Sequence, residues 1–278
     1  MRLPQHLALL GVLVVLLSSG CSQRRSLEVV RRFSAAEANQ AVAVDGNYFY
    51  AIDGAAIGKY DKRTGARVAG WKDATGHITH LNSGIVFGDE LYCAHSNYPE
   101  TPMVSSLQVF DAERLVHMRS IPLPAGIGSA TWVDRTGDNW WVAFANYAGK
   151  GGEPGKGPEH TTLVRFDREW QPRESWTFPA AVVKHWGAMS SSGGTWVAGH
   201  GLFTTGHDAP ELYVLDLPAS GHELTLKAII PFEGEGQGIA VDRPEGLLYS
   251  IKRRTREVIV STLPASAVES RSSGSPMP

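Results

Sequence analysis

The sequence predicts an all-β protein, a β-propeller of five blades, from a repeated strand unit and an unmatched strand near its start. Each repeat reads as an apolar strand, a glycine turn and a second strand that carries an aromatic residue. The period of about 40 to 60 residues, with four short strands in each unit, is typical of propeller blades. The repeats begin at Gln40, Asn82, Ser129, Gly187 and Gln237.

A second element follows in the first four repeats: a strand that ends in an apolar residue and aspartate, before a tight turn. The pairs are Tyr60-Asp61, Phe110-Asp111, Phe166-Asp167 and Leu215-Asp216. Aspartate at such a place bonds to the backbone of its own turn, so we interpret these residues as turn formers. We expect the second-strand aromatic residues to pack between blades; they are Tyr50, Tyr92, Trp141, Trp196 and Tyr249.

The fifth repeat lacks its outermost strand, because only one more strand, at 256–263, follows Tyr249. The segment 27–33 reads as a strand with no repeat of its own. Pairing this N-terminal strand with the last blade would close the ring and remove an exposed sheet edge. The predicted propeller therefore spans residues 27–264.

This blade pattern resembles the broad β-propeller superfamily that includes SMP-30/gluconolactonase-like, NHL-like and olfactomedin-like domains. The five-fold count is similar to the olfactomedin type. The resemblance implies the propeller fold and carries no catalytic signature over to individual residues. Because propellers include enzymes, binding proteins and scaffolds, function has to be argued from a site.

The N-terminal residues predict export. Arg2 precedes an apolar run at 7–17 and the sequence Ser-Ser-Gly-Cys, which is typical of a signal peptide over residues 1–20. The run is too short to span a bilayer comfortably. The end of the segment resembles a lipoprotein signal, in which Cys21 is lipidated and 21–26 forms a tether; the alternative is a plain signal cleaved near Gly20. Residues 265–278 are rich in Ser, Gly and Pro and predict a disordered tail.

Composition narrows the possible functions. The chain has 278 residues, is 42% hydrophobic and carries a formal net charge of -2, as expected of a compact domain that offers nucleic acid no basic surface. With Cys21 lipidated, Cys93 has no disulfide partner, and its apolar surroundings predict a small buried side chain. We expect a monomer in the cell envelope, anchored by lipid on the periplasmic side of a bacterial membrane, or exported.

One face of the predicted propeller carries the long loops, at 96–103, 147–160 and 201–210. These loops either enter the first strand of a blade or follow its second strand. We call the side of the propeller on which they lie the cavity face. Loops on one side of a rigid scaffold are where function usually lies. The histidines that map to this face or its rim are His77, His80, His95, His160, His185, His200 and His207.

Alignment of the repeats selects candidate residues at this face. The mouth of the central channel is expected to collect His80, His185, Glu235, Gln40, Asn82 and Gln237, and a second ring His95, Asn97, His200, Lys252 and Arg253. Trp186, Tyr98 and Trp132 are expected nearby and suit a saccharide-like ligand.

These residue types allow three interpretations. In the first, His80, His185, His95, His200 and Lys252 are catalytic in a lyase, hydrolase or isomerase, because imidazole exchanges protons near neutral pH. The ligand-binding residues are then Gln40, Asn82, Asn97, Gln237 and Arg253. In the second, His80, His185 and Glu235 bind a divalent metal ion that assists the reaction. In the third, the propeller is a non-catalytic scaffold for an envelope protein, and its polar channel residues are structural.

Overall fold

The computed structural model describes residues 26–264, which form five four-stranded antiparallel sheets around a central axis. The predicted five-bladed propeller is confirmed. Strand β1 (Val29–Ser34) precedes the first complete blade, which contains β2 (Ala41–Val44), β3 (Tyr48–Asp53), β4 (Ala56–Asp61) and β5 (Arg67–Lys72). In each blade the first strand lies next to the axis and the later strands follow outward in hydrogen-bonded order.

The other blades have the same plan. The second contains β6 (Leu81–Phe87), β7 (Glu90–Ser96), β8 (Ser105–Asp111) and β9 (Val116–Pro122). The third contains β10 (Ser129–Thr136), β11 (Asn139–Ala145), β12 (Thr162–Phe166) and β13 (Pro172–Thr177), with a 3₁₀ turn at Pro158–His160. The fourth follows helix α1 (Ala180–Trp186) and contains β14 (Gly193–Val197), β15 (Gly201–Thr205), β16 (Glu211–Asp216) and β17 (Thr225–Pro231).

The fifth blade is completed by the N-terminal strand, as predicted. Its strands β18 (Ala240–Asp242), β19 (Leu247–Lys252) and β20 (Glu257–Thr262) continue into β1, which pairs antiparallel with β20. Phe33 lies opposite Val258 in this pairing, and its ring lies 4.9 Å from that of Phe49 in the first blade. The same strand therefore supplies backbone hydrogen bonds to one blade and side-chain packing to the next.

Hydrophobic clusters fill the interface between each pair of neighbouring blades. Four of the predicted aromatic residues lie on second strands and are buried in these clusters: Tyr50, Tyr92, Trp141 and Tyr249. Trp196 also contacts such a cluster, but it lies on the first strand of its blade.

The register expected for the fourth blade is wrong. The sequence predicted a first strand from Gly187, whereas that strand is β14, which starts at Gly193. The two glycines at its start obscure the strand in the sequence, because glycine is rare in strands. A larger residue would not fit, since a Cβ on Gly194 would lie 2.4 Å from the Trp132 ring. The preceding Ser190 and Ser191 are buried and their hydroxyls form side-chain hydrogen bonds, but these residues are not part of the strand. Every position predicted for this blade from the expected register shifts as a result.

The end of the axis at the opposite face is closed. Asp134 is buried there and accepts hydrogen bonds from Arg243, from the Thr195 hydroxyl and from the Trp196 backbone. The cavity that remains beside these residues measures about 20 Å³, room for a single water molecule. The channel is thus blind, and a ligand can approach along the axis only from the cavity face.

Some predictions fall on residues outside the described range 26–264: the signal peptide at 1–20, lipidation at Cys21, the tether up to residue 25 and the tail at 265–278. Within the described range, no helix is long and apolar enough to span a membrane. Cys93 is buried and unpaired, and burial raises the pKa of its thiol well above the usual range. The thiol is therefore not a nucleophile at neutral pH.

Phe33→Ala tests the closure of the ring. The substitution should lower the free energy of unfolding by about 3 to 4 kcal/mol, because it leaves a cavity between the first and last blades. Val30→Ala, on the same strand but 49% exposed, should change it by less than about 0.5 kcal/mol. Urea denaturation of both variants makes the comparison, and an equally small effect at Phe33 would contradict the assigned role of β1.

Candidate functional site

A cavity of about 240 Å³ lies at the open end of the axis and receives residues from all five blades. We call it the axial cavity. It is lined by Gln40, His80, Asn82, Tyr98, Thr131, Tyr147, Met189, Ser192, His207, Gln237 and Arg253.

Five of the predicted site residues meet in this cavity: Gln40, His80, Asn82, Gln237 and Arg253. The first four lie at or just before the first strand of their blade, and Arg253 directly follows the second strand of the last blade. Strands that converge on one axis bring these positions together although they are far apart in the sequence. The structure gives their location, and their functional roles stay predictions.

The floor of the cavity is polar and tightly bonded. Asn82 is 5% exposed and donates a hydrogen bond from Nδ2 to the Ala130 carbonyl at 3.2 Å. Gln237 is 1% exposed and donates from Nε2 to the His207 carbonyl at 2.8 Å. Its backbone has a φ of 65°, in the left-handed region that glutamine seldom adopts. Such strain persists only where the surroundings enforce it, which is common at binding sites.

An aromatic wall closes one side of the cavity. The ring centroids of His80 and Tyr98 are 5.0 Å apart, and those of Tyr98 and Tyr147 are 5.2 Å apart at a steep angle. The loop after β11 covers this wall: a Cβ on Gly151 would lie 2.4 Å from the Tyr98 ring. Burial raises the pKa of Tyr147 to about 12, so its phenol stays protonated at neutral pH.

His80 is a neutral imidazole in this environment. Burial, with smaller repulsion from His95 and His207, lowers its pKa to about 4. At neutral pH the ring therefore has one N–H donor and one acceptor nitrogen. It can hydrogen-bond a hydroxyl group or accept a proton, but it adds no positive charge to the cavity.

The opposite side of the cavity contains a cation held by a histidine. An Nη1 of Arg253 lies 3.4 Å from Nε2 of His207, and Nδ1 of His207 lies 2.8 Å from Asp208 Oδ1. Arginine has only donors, so Nε2 accepts in this contact. Nδ1 faces Asp208 but makes no hydrogen bond to it, so His207 lies between two charged neighbours.

Three predicted residues lie elsewhere, which corrects the placement of His185 and Glu235 at the mouth and of Lys252 in the second ring. His185 lies on helix α1, exposed, with Nδ1 2.8 Å from Glu211 Oε2. The Glu235 carboxylate is paired with Arg254 at 2.6 Å and lines a neighbouring depression. Lys252 faces Glu233 at 3.7 Å. The aligned repeats predict that His185 lies just before the first strand of the fourth blade. It lies instead on helix α1, which moves it away from the axis.

Three second-ring residues, His95, Asn97 and His200, are also outside the cavity lining. His200 lies in the turn between β14 and β15, on the opposite face, because of the corrected register. His95 lies inside the second blade, with Nδ1 3.1 Å from the Ser106 hydroxyl, and burial lowers its pKa. Asn97 closes its own loop, bonding the Pro102 carbonyl and the Val104 N–H.

The proposed metal ligands do not form one site. His80 lines the axial cavity, His185 bonds Glu211, and Glu235 bonds Arg254. Across residues 26–264, no group of three or more His, Cys, Asp or Glu side chains is arranged to hold a metal ion. These residues do not fit a metal, and binding of a divalent ion stays a prediction from the sequence.

Sequence reasoning missed part of the lining: Thr131, Tyr147, Met189, Ser192 and His207. A usable signal existed for two of them. Tyr98, Tyr147 and His207 are each the second residue after the second strand of their blade. With the fourth blade aligned from Gly193, the second residue after the second strand is predicted to lie at the cavity in these blades. Trp132 and Trp186, expected nearby, are buried between blades instead.

Comparison with known proteins gives no family. No model of a protein family matches the chain, and no curated protein sequence matches it. Among solved structures, hydrazine synthase of Kuenenia stuttgartiensis shares 12% identity over 80% of this chain and 83% of its own, with a TM-score of 0.49. U3-55K shares 12% identity over 80% of each chain, with a TM-score of 0.46.

A third structure, the Cps50 (Swd1) β-propeller domain of Myceliophteria thermophila, shares 13% identity over 81% of this chain and 84% of its own, with a TM-score of 0.43. These are similarities of overall shape. The assignment of the fold rests on the five sheets of this chain.

The depressed pKa of His80 predicts a pH-dependent stability. Because the folded pKa lies below the unfolded value of about 6.5, the stabilisation is complete above that pH and is lost as pH falls toward 4. Relative to His80→Gln, the wild type should lose about 3 kcal/mol of unfolding free energy between pH 7 and pH 4.

Urea unfolding at several pH values and an NMR titration of the ring measure this effect. Tyr98→Ala, which opens the imidazole to water, should move the pKa of His80 toward its ordinary value. Titration of His80 near 6.5 in the wild type would contradict its partly buried position in the cavity.

Proposed function

We propose that the axial cavity binds a small polar, saccharide-like ligand. One observation carries this proposal: carboxamide, imidazole, hydroxyl and aromatic groups from all five blades line one blind cavity. Ligand pockets usually combine an apolar wall with a few converging polar groups. Here Gln40, Asn82 and Gln237 supply carboxamides, and the ring of Tyr98 supplies the wall.

The size of the cavity limits the ligand. Its volume of about 240 Å³ is smaller than the roughly 300–1,000 Å³ typical of pockets for drug-sized molecules. This volume suits a molecule of about one sugar ring. Carboxamides both donate and accept, as hydroxyl groups do, and an aromatic face suits the apolar face of a sugar.

A lyase or isomerase activity is a second candidate, favoured by the pairing of Asp208 and His207. The Asp208 carboxylate 2.8 Å from Nδ1 would stabilise a positive charge on the ring, and proton uptake at Nε2 requires that Arg253 first release this nitrogen. The expected result is exchange of a ligand carbon-bound hydrogen in D₂O, followed by NMR, and its loss in His207→Gln. No exchange into any bound sugar would leave binding as the function.

The scaffold hypothesis requires an apolar patch around the cavity-face loops. Among the exposed large hydrophobic residues of the described range, Val104 is the one that lies in those loops; the others are Val30, Val68, Phe87, Val116, Met118 and Leu217. The structure therefore provides more support for a small ligand than for a protein partner at this face.

We also propose that the mature protein is attached to the bacterial cell envelope through lipid on Cys21. This residue lies outside the described range, and the proposal rests on the signal-like sequence before it. Expressed in a bacterium fed with labelled palmitate, the chain should become labelled and pellet with membranes. Cys21→Ser should abolish the label, whereas Cys93→Ser should retain it; labelled C21S protein would contradict this anchor.

Binding of monosaccharides tests the proposed function. D-glucose and D-glucuronate, titrated by NMR and calorimetry, should include at least one that binds. His80→Ala should weaken its binding about tenfold or more, because a hydrogen bond worth about 1.4 kcal/mol is lost. His222→Ala, at the outer edge between the third and fourth blades, should have no effect.

Unfolding midpoints of both variants separate a loss of contacts from a loss of fold. If neither sugar binds the wild type up to tens of millimolar, or if the two alanine variants bind equally, the axial cavity is not the proposed site.

A further inference from the structure

We infer that the axial cavity selects an acidic ligand, a sugar acid or similar small carboxylate, and that Arg253 binds the carboxylate. This inference rests on the proposed function and names its ligand class. It starts from the charges of the lining residues. Arg253 contributes a permanent positive charge, and no Asp or Glu is among the residues that line the cavity. Such a site attracts an anion, more strongly because its walls exclude water.

Arg253 differs from the basic residues around it, each of which is paired with a carboxylate. Lys252 pairs with Glu233 at 3.7 Å, Arg254 with Glu235 at 2.6 Å and Arg256 with Asp53 at 3.1 Å. Arg253 lies between them in the same turn and forms no ion pair with a carboxylate of residues 26–264. Of these four cations, it is the one that lines the axial cavity.

The contact that Arg253 does make leaves its charge uncompensated. Its partner is Nε2 of His207 at 3.4 Å, a ring nitrogen rather than a carboxylate oxygen. This contact orients the guanidinium with one of its five N–H groups, so a further pair is available. A planar carboxylate matches a guanidinium edge with two parallel hydrogen bonds.

The acidic residues near Arg253 do not pair with its guanidinium. Asp208 and Glu235 line the neighbouring depression, together with Arg253, Arg254 and His207. Asp208 contacts His207 Nδ1, and Glu235 accepts from the backbone and the side chain of Arg254. Both carboxylates are therefore engaged on the outer side of the His207 and Arg253 pair.

The rest of the lining favours a monoanion with hydroxyl groups. Besides Arg253, the cavity offers neutral carboxamides, hydroxyls and imidazoles, and the depressed pKa of His80 keeps that ring uncharged at pH 7. A phosphate dianion would need a second cation or a cluster of backbone N–H groups. A single guanidinium surrounded by neutral polar groups suits one carboxylate on a polyol.

The experiment compares D-glucuronate with D-glucose, which differ in the carboxylate, and includes inorganic phosphate. In the wild type, glucuronate should bind at least tenfold more tightly than glucose, and this preference should weaken with salt. Arg253→Gln should reduce the preference to less than twofold. Arg256→Gln, the matched control from the same turn, should retain it.

The outcomes separate the two proposals. Equal binding of glucose and glucuronate by the wild type overturns the acidic ligand and leaves a neutral saccharide site. Phosphate that competes as strongly as glucuronate overturns the carboxylate assignment. A preference that survives in R253Q assigns the anion to another group and overturns the role of Arg253, provided that its unfolding midpoint matches wild type. Absence of binding by either sugar overturns the proposed function as well.

Discussion

The pairing of β1 with β20 is the interaction on which the molecule depends. Each blade buries its apolar faces against its two neighbours, so the ring is stable only when the last blade meets the first. This junction joins parts of the chain 220 positions apart, as in the bond from Arg256 to the Ala36 carbonyl. It adds backbone hydrogen bonds on one side of β1 and places Phe33 against Phe49 on the other. Without it, the cavity would lose Gln237 and Arg253, the lining residues that the last blade supplies.

Closing five blades brings their first strands very close to the axis, and the sequence accommodates this with small residues. A Cβ on Gly238 would lie 2.3 Å from that of Ala41 and 2.9 Å from that of Ser83. Toward the opposite face, Asp134 and Arg243 seal the remaining space. The axis is thus filled along most of its length and widens at one end, where the loops diverge. The position of the cavity is a consequence of this packing.

The chemistry of each charged or titratable side chain near the cavity depends on the group that it contacts. Lys252, Arg254 and Arg256 are each paired with a carboxylate, whereas Arg253 contacts an imidazole. The histidines divide in the same way. His80 is neutral because it is buried, His207 is held between Asp208 and Arg253, and His185 bonds Glu211 outside the cavity. Similar residue types therefore have different chemistry within one face of the protein.

The sequence by itself determined the repeat, the number of blades and the closing strand, because strand period and turn residues are local signals that recur along the chain. It also placed Gln40, His80, Asn82 and Gln237 at the mouth of the channel and Arg253 in the ring around it, since these positions follow from the strand starts and ends. Only the tertiary structure decided the register of the fourth blade, where Gly193 and Gly194 hide a strand. It likewise decided which polar groups are paired, because ion pairs such as Glu235 with Arg254 depend on side-chain distances in space, which strand periodicity does not specify.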